Sequence, residues 1–200
     1  VGSGLEFRLK VEPGSMPPAL FTAVEEAVKE TLREGLSGWE VIDCTVTMTS
    51  SGYWARQSHS HGTFDASMSS TAGDFRNLTP LVLMSALKAA GTTVYEPINR
   101  FRLEAPDDTL GQLLPVLARL RAVPQTSAPV GSTAILEGEI PAARVHDLQL
   151  RLPSLTSGEG VLECAFERYE RVRGTVPTRP RSDRNPLERR EYLLRVAGRA

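Results

Sequence analysis

The second half of the chain alternates between strand-like and helix-like patterns in an order that admits few folds. Four stretches are predicted to be strands, at 98–105, 123–130, 133–140 and 161–169, and all but the weaker second one show the period-two alternation of half-buried strands. Apolar side chains at helical spacing lie between the first two stretches and between the last two. This order matches a ferredoxin-like domain, a split βαβ arrangement whose four antiparallel strands carry two helices on one face. We therefore predict such a domain here.

The first half of the chain predicts another unit that combines strands and helices. Strand-like alternation occupies 5–11 and 41–49, and apolar stripes at helical spacing follow each of these stretches. The predicted fold class is α+β: two βα sandwich domains, the second ferredoxin-like, plus a C-terminal helix at 187–196. We place the domain boundaries at 1–95 and 96–170, followed by an arginine-rich arm and terminal helix at 171–200.

Glycine and proline set the expected ends of the helices. Gly35 is predicted to cap the helix of the first stripe. The second helix is predicted at 74–90, and a later start near Thr79 is the alternative because of Pro80. Pro115 predicts a kink or a later start in the first helix of the second half. Leu187 and Leu194 are the expected apolar side of the terminal helix. The expected inward face of the helix at 74–90 carries Phe75, Leu78, Leu81, Val82, Ser85 and Ala89.

A long polar stretch at 50–76 separates a predicted strand from a predicted helix. Structureless connections of this length are uncommon in compact domains and are usually functional or disordered. Tyr53, Trp54 and Arg56 lie in it, and aromatic and arginine planes are the groups on which RNA readers stack unpaired bases. Our hypothesis is that this loop is a probe inserted into a partner. The alternative for Trp54 is that its ring folds back and covers the edge of the sheet.

The net charge of −1 conceals an uneven distribution along the chain. Residues 171–200 contain nine arginines and three acidic residues, whereas residues 1–170 carry the excess of acidic side chains. Clustered arginine suggests a phosphate-bearing partner, because guanidinium groups bind phosphate in a fork geometry. The alternative is an arm that packs back on the acidic body, and the sequence leaves both open.

No constellation of residues in the sequence indicates catalysis or a resident metal. His59 and His61 could bind a metal, but Asp65 alone is a weak third ligand. Ser, His and Asp occur together at 58–65 without a nucleophile elbow. The phosphate-binding motif GxxxxGK followed by Ser or Thr is absent. An enzyme centred on the two histidines is the least favoured hypothesis.

The cysteines and the hydropathy of the sequence favour a cytoplasmic location of the protein. Cys44 and Cys164 lie far apart in alternating segments, which is typical of buried free thiols in a reducing compartment. No apolar run approaches the ~20 residues that a membrane helix needs, and no signal-peptide pattern is visible. We expect a cytoplasmic protein with no membrane contact.

Six segments carry a resemblance to a known family. They are GSGLEF at 2–7, EGLSGWEVIDCTVT at 34–47, STAGDFRNLTPLVL at 70–83, GTTVYEPINRFRLEAP at 91–106, LEGEIPAARVHDLQLRL at 136–152 and PTRPRSDRNPLERREYLL at 177–194. Together they resemble domains IV and V and the C-terminal helix of the tetracycline-resistance ribosomal protection proteins, which are paralogues of elongation factor G. WEVIDC and GDFRNLTPLVL are more typical of the ribosomal protection proteins than of elongation factor G itself.

The resemblance implies a fragment of a five-domain translational GTPase without its GTP-binding domain. The fragment would hold no cofactor and no catalytic residue, whereas the parent would bind GTP and Mg²⁺. Domain IV would contact 16S RNA at the decoding centre and dislodge tetracycline, and domain V would lie near the large-subunit GTPase-associated region. The implied partner is the ribosome, and the fragment is expected to be a monomer. The alternative is the same region of an elongation factor G paralogue that acts in translocation or ribosome rescue.

The resemblance places the ribosome-contact loops on two segments, 67–73 before the DFR motif and the turn at 35–39. Common family members have a short loop of the Tyr-Tyr-Ser-Pro-Val type before DFR, whereas this chain has a longer loop without that aromatic and proline. Either Tyr53 and Trp54 replace this apolar wedge or drug release works differently here. The candidate contact residues are Ser67, Met68, Ser69, Ser70, Thr71, Ala72, Gly73, Leu36, Ser37, Trp39, Tyr53 and Trp54.

Overall fold

The computed structural model describes residues 4–54, 69–182 and 184–198. The chain divides into two compact units. Unit 1 contains 1–93 together with 177–200, and unit 2 contains 94–176. Most of the C-terminal arm, from 177 onward, thus belongs to the same compact unit as the N-terminal half of the chain.

Unit 1 is built on a pair of parallel strands. β1 (Leu5–Leu9) and β2 (Cys44–Met48) run side by side, and α1 (Pro18–Thr31) makes the crossover that parallel strands require. A second helix, α2 (Ala72–Ala90), follows β2 and packs beside α1. The helices and strands enclose a small core that includes Phe7, Val24, Val28, Leu32, Val46 and Leu83.

α1 ends before the glycine that the sequence predicts as its cap. Leu32 is the C-terminal cap, with φ −77° and ψ −5°, so the prediction of Gly35 is wrong. The Leu32 carbonyl accepts a hydrogen bond from the Val41 amide at 2.8 Å, because the chain turns back onto the helix end. Because the Val41 amide donates to Leu32, it is not available for pairing with a neighbouring strand. β2 accordingly starts at Cys44 and not at Val41.

α2 starts earlier than its internal proline suggests. The Asp74 amide donates to the Thr71 Oγ1 at 3.2 Å, and the Thr71 amide donates to the Asp74 Oδ2 at 2.7 Å. A reciprocal capping box of this kind stabilises a helix start by about 1 kcal/mol. The helix therefore runs from Ala72 through Pro80, close to the predicted start at Asp74, and the alternative start near Thr79 is wrong.

The buried face of α2 differs from the predicted one. Leu83 and Met84 are buried, whereas Leu78 and Val82 are exposed. Apolar residues lie on two sides of this helix, so spacing alone does not decide which side meets α1. Of the predicted inward residues, Phe75 does pack against the core.

Unit 2 has the ferredoxin-like fold predicted from the order of its elements. These are β3 (Tyr95–Pro106), a 3-10 turn (Asp107–Thr109), α3 (Leu110–Arg119), β4 (Val123–Val130), β5 (Thr133–Pro141), α4 (Ala142–Leu155) and β6 (Val161–Arg171). The strands pair antiparallel in the order β4-β5-β3-β6. The two helices cover a core of Phe101, Leu103, Leu113, Leu117, Leu136, Ile140 and Leu148. α3 contains Pro115 and begins at Leu110, not later.

The C-terminal arm ends in a short helix, α5 (Arg189–Val196). Leu187 and Leu194, its predicted apolar side, are both exposed. Tyr192 is buried instead, and its hydroxyl donates to the Asn77 carbonyl of α2 at 3.0 Å. A tyrosine suits this position because its ring is buried while its polar tip finds an acceptor.

The two cysteines are free, as predicted, but they are less buried than the sequence suggests. Cys44 is half-buried and Cys164 is exposed. The prediction of a buried thiol is therefore wrong for Cys164. Partial desolvation still raises the pKa of both thiols.

Candidate functional site

The parallel pairing of β1 and β2 brings two connections of unit 1 to one edge of the sheet. Both strands end at this edge, so the chain leaves the sheet at two neighbouring points. The hydroxyls of Ser15 and Ser51, one from each connection, lie 3.1 Å apart. Ligands of open α/β sheets bind outside the carboxyl ends of the strands. We call this region the carboxyl edge, and its described residues are 12–16, 50–54 and 69–73.

Two hydrogen bonds close the base of the long loop at the carboxyl edge. The Trp54 amide donates to the Ser70 Oγ at 3.0 Å, and the Ser70 amide donates to the Trp54 carbonyl at 3.0 Å. Ser69 is buried beside this closure. The chain between these ends contains the predicted contact residues Ser67 and Met68, which lie outside the described residues.

Trp54 presents its indole at the carboxyl edge. Its side chain is 69% exposed, while Tyr53 is half-buried. The ring therefore does not cover the sheet edge, which was the alternative that the sequence left open. Stacking of a base on an aromatic ring contributes about 1–3 kcal/mol, so an exposed indole at this place could bind one.

Both helices of unit 1 begin at the carboxyl edge. Thr71, Ala72 and Gly73 form the capped start of α2, where Asp74 already satisfies part of the helix terminus. α1 starts from Pro17, which has no side-chain cap, and has no acidic residue in its first turn. Because helix N-termini attract anions, the start of α1 is the better of the two for a phosphate.

The connection between β1 and α1 is a part of this edge that the sequence analysis missed. It reads Pro-Gly-Ser-Met and was interpreted only as the end of a strand. Met16 is buried and anchors the connection, while Gly14 and Ser15 are exposed. The signal that could have found it is topological, because a βαβ unit places both strand-to-helix connections at one edge.

The other predicted contact residues lie at the opposite end of α1. Leu36 and Ser37 are half-buried in the turn that follows the helix, and Trp39 is 39% exposed. The 14 residues of α1 separate this turn from the carboxyl edge, a length of about 21 Å at 1.5 Å per residue. The structure therefore does not bring the two predicted loops into one surface. Their contact with RNA stays a prediction.

Arginines of the C-terminal arm divide into two groups. Arg179 and Arg181 bind backbone carbonyls of unit 1 at the end of α1. These two follow the alternative in which the arm packs back on the body. The exposed arginines of the arm include Arg184, Arg189 and Arg190. For these three, binding to a phosphate-bearing partner stays a prediction.

The described part of the chain offers no metal centre. No group of three or more His, Cys, Asp or Glu side chains within 4–54, 69–182 and 184–198 is placed to hold an ion. His59 and His61 lie outside these residues. Over the same residues, no helix is long and apolar enough to cross a membrane.

Two family models match the chain, and they meet close to the boundary between the two units. The model described as elongation factor G, domain IV matches 1–91, and the model described as elongation factor G C-terminus matches 93–180. The chain belongs to the elongation factor G family. This confirms the resemblance predicted from the sequence segments.

Curated relatives within this family carry names of tetracycline resistance. The chain is 44% identical over 197 residues to the oxytetracycline resistance protein of Streptomyces rimosus, covering 98% of the chain and 28% of the relative. It is 46% identical over 161 residues to the tetracycline resistance protein TetM of Streptomyces lividans, covering 80% and 23%. With TetP of Clostridium perfringens it shares 32% over 194 residues, covering 96% and 28%. The chain thus spans about a quarter of the length of these relatives.

A solved structure supports the fold. A crystal structure of a Thermus thermophilus protein superposes with a TM-score of 0.65 and 23% identity, covering 99% of this chain and 26% of that chain. At this level of identity the likeness shows the fold alone. The α+β architecture of both units therefore has a counterpart in a solved structure.

Proposed function

We propose that the chain is the ribosome-binding part of a translational GTPase that releases tetracycline from the ribosome. The carboxyl edge of unit 1 contacts 16S ribosomal RNA near the decoding centre, and unit 2 binds near the GTPase-associated region of the large subunit. The mechanism is displacement at an RNA site, without bond chemistry in this chain. GTP and Mg²⁺ belong to the longer parent protein, which acts in the cytoplasm, and this part of it acts as a monomer.

The observation that carries the proposal is the exposed ring of Trp54 at the closed base of the long loop. The backbone of Trp54 is held to Ser70 by two hydrogen bonds, so the ring projects from a fixed point. Glu12 is the one acidic residue among the 15 described positions of the carboxyl edge. A surface with so little negative charge can approach the phosphates of RNA without strong repulsion. The names of the relatives support tetracycline as the drug.

The proposed contact residues follow from this surface and from the family resemblance. Tyr53 and Trp54 supply aromatic rings, and hydroxyl groups around them can donate to phosphate and ribose oxygens. The set is Ser15, Tyr53, Trp54, Ser67, Met68, Ser69, Ser70, Thr71, Ala72 and Gly73.

The test replaces 55–68 with an Asn-Gly connector in the full-length parent, so that the Trp54–Ser70 closure is kept. We expect the variant to lose protection of cell-free translation against tetracycline and to lose release of labelled drug from ribosomes. Ribosome-stimulated GTP hydrolysis serves as the control, because the replaced residues lie outside the GTPase domain. Unchanged protection by this variant would refute the loop's role.

A point substitution at Trp54 tests the same idea without shortening the chain. Trp54→Ala removes the exposed ring, whereas Trp54→Phe keeps a flat aromatic surface. We expect the alanine variant to need a higher protein concentration for drug release, with the phenylalanine variant close to the parent. Equal loss in both variants would argue against stacking.

The second candidate is a role in translocation or ribosome rescue, and one observation favours it. The two matching models describe elongation factor G itself, not a resistance protein. If the parent fails to protect translation from tetracycline but restores peptide synthesis to ribosomes depleted of elongation factor G, this candidate replaces the first.

A further inference from the structure

The C-terminal arm lies along the turn that follows α1. The Arg179 amide donates to the Ser37 carbonyl at 3.1 Å, and its Nε donates to the Gly38 carbonyl at 2.5 Å. In the opposite direction, the Trp39 indole N–H donates to the Pro177 carbonyl at 2.6 Å. These three hydrogen bonds all end on backbone carbonyls.

Arg181 reaches deepest into the end of α1. Its side chain is only 6% exposed, and its guanidinium donates to the carbonyls of Thr31, Glu34 and Gly35. The last carbonyls of a helix have no intrahelical partner, so a buried guanidinium can donate hydrogen bonds to them. Its positive charge also interacts favourably with the negative end of the helix dipole. The charge is balanced by the Glu34 carboxylate, which accepts from the Ser182 amide at 2.8 Å and from its hydroxyl at 2.5 Å.

Gly38 is the position that admits the arm. Its φ is +78°, a backbone conformation that side chains with a Cβ rarely adopt. A Cβ at this position would overlap the Arg179 carbonyl and lie 2.8 Å from the Arg179 Cγ. Gly91 has nearly the same φ, +76°, but no atom lies within 4 Å of its Cβ position. The two glycines therefore have nearly the same φ and differ in whether the arm is next to them.

Trp39 completes the contact from the side of the turn. The Arg179 guanidinium lies 5.0 Å from the centroid of the Trp39 ring, within the range of a cation–π interaction. One face of the indole and its N–H are therefore both occupied by the arm. The carbonyls of Ser37 and Gly38 and the N–H of Trp39 are therefore used in hydrogen bonds within the chain.

We propose that 177–182 and 34–39 form a clasp that fixes the C-terminal helix to unit 1. Arg181 is its anchor, and Gly38 leaves the space that the arm occupies. Arg179 and Arg181 are then positioning residues that set where the exposed arginines of the arm point. Ser37 and Trp39 serve to hold the arm. The clasp is a property of the chain by itself and does not rest on the ribosomal function.

Limited digestion with trypsin tests the clasp in the intact 200-residue chain. The Arg181 side chain is covered in the clasp, whereas Arg173 is 88% exposed and provides an internal reference site. We expect cleavage after Arg181 to be at least about tenfold slower than after Arg173, because cleavage tracks the population of the open arm. Equal rates at the two sites would overturn the clasp.

Gly38→Ala is the variant that opens the clasp, and Gly91→Ala is its matched control. Both introduce a methyl group at a left-handed φ, but only the first meets the arm. We expect cleavage after Arg181 to accelerate at least about tenfold in Gly38→Ala and to stay near the parent rate in Gly91→Ala. Equal acceleration in both variants would mean that backbone strain, not the arm, decides the rate.

A third variant covers the case in which Gly38→Ala unfolds. Cleavage after Arg76, within α2, reports unfolding of unit 1. Arg181→Lys keeps the charge and the trypsin site but loses the planar fork that reaches three carbonyls. We expect faster cleavage after position 181 with cleavage after Arg76 unchanged. If Arg181→Lys leaves the site at 181 protected, Arg181 is not the anchor and the proposal fails.

Discussion

The two tryptophans of unit 1 stand at opposite ends of α1 and have opposite environments. Trp54 is 69% exposed, and the bonds that hold it involve its backbone. Trp39 is 39% exposed, and its indole is held through the ring N–H and through one face. Sequence analysis assigned the same role to both. The structure separates them into a ring free to meet a partner and a ring already engaged by the chain.

The difference shows how one residue type serves either recognition or packing. An aromatic ring contributes to binding when its backbone is ordered and its face is open. The same ring contributes to stability when its N–H donates to an acceptor and a cation lies over its face. Four substitutions test this contrast, and the first should change stability most.

Trp39→Ala should have the largest effect on stability. It removes the bond to Pro177 and the contact with Arg179, and we expect the free energy of unfolding to fall by about 2–3 kcal/mol. Trp54→Ala, the matched comparison, should change it by no more than about 0.5 kcal/mol, because exposed side chains contribute little. Urea unfolding followed by far-UV circular dichroism measures both. Equal losses in the two variants would abolish the contrast.

Thr71→Ala should weaken the carboxyl edge through the start of α2. It removes the Oγ1 that accepts from the Asp74 amide, and loss of an N-terminal cap costs about 1 kcal/mol. Thermal unfolding measures this, with Thr175→Ala at an exposed position as the control. A melting temperature equal to that of the control would mean that α2 does not depend on its cap.

Ser70→Ala should open the base of the long loop with a smaller effect on overall stability. The hydroxyl that accepts from the Trp54 amide is lost, while the backbone bond in the other direction is kept. A single neutral hydrogen bond contributes about 0.5–1.5 kcal/mol. Faster hydrogen exchange at the Trp54 amide, with exchange in α1 unchanged, is the expected result. Unchanged exchange at Trp54 would show that the hydroxyl does not hold the loop.

Glu139→Gln in unit 2 should have the smallest effect, because its partner arginine is exposed, unlike Arg181. Hydrogen bonds from the Arg168 guanidinium lower the pKa of the Glu139 carboxyl. A lowered folded-state pKa stabilises the fold above the unfolded value of about 4.3, and this contribution is lost as the pH falls through the folded value.

We therefore expect Glu139→Gln to lower stability at pH 7 by no more than about 1 kcal/mol. The difference from the parent should close as the solution is acidified below the ordinary glutamate range. Thermal unfolding at a series of pH values measures it. A difference that persists in acid would show that the carboxyl acts through packing and not through its charge.

Several features of the fold could be predicted because they depend on local patterns. Period-two alternation located β3, β5 and β6, whereas β4 was predicted as a weaker strand. The order of these strands with two helices admits one common architecture. The start of α2 was predicted close to Asp74, and the capping box of Thr71 and Asp74 fixes it there, before Pro80. The inward face of α2 was missed at Leu78 and Val82 because apolar residues occur on both sides of that helix.

The candidate site was only partly predictable, for a physical reason. The composition of the long loop predicted Trp54 as a contact residue. The connection that carries Ser15 could be recognised as part of the site only from the parallel pairing of β1 and β2. The turn that carries Trp39 had the composition of a contact loop. Nothing local distinguishes a tryptophan that meets a partner from one that meets a distant arginine.

The α+β class, the ferredoxin-like unit and the family could be inferred from the amino-acid sequence, because alternation, element order and motifs are local properties of the chain. Only the tertiary structure decided that the arm returns to unit 1 and that Arg179 and Arg181 are occupied there. Those arginines bind backbone carbonyls, which every residue possesses, so no side-chain pattern marks the acceptors. Their position depends on where α1 ends and on Gly38, which leaves room for the arm.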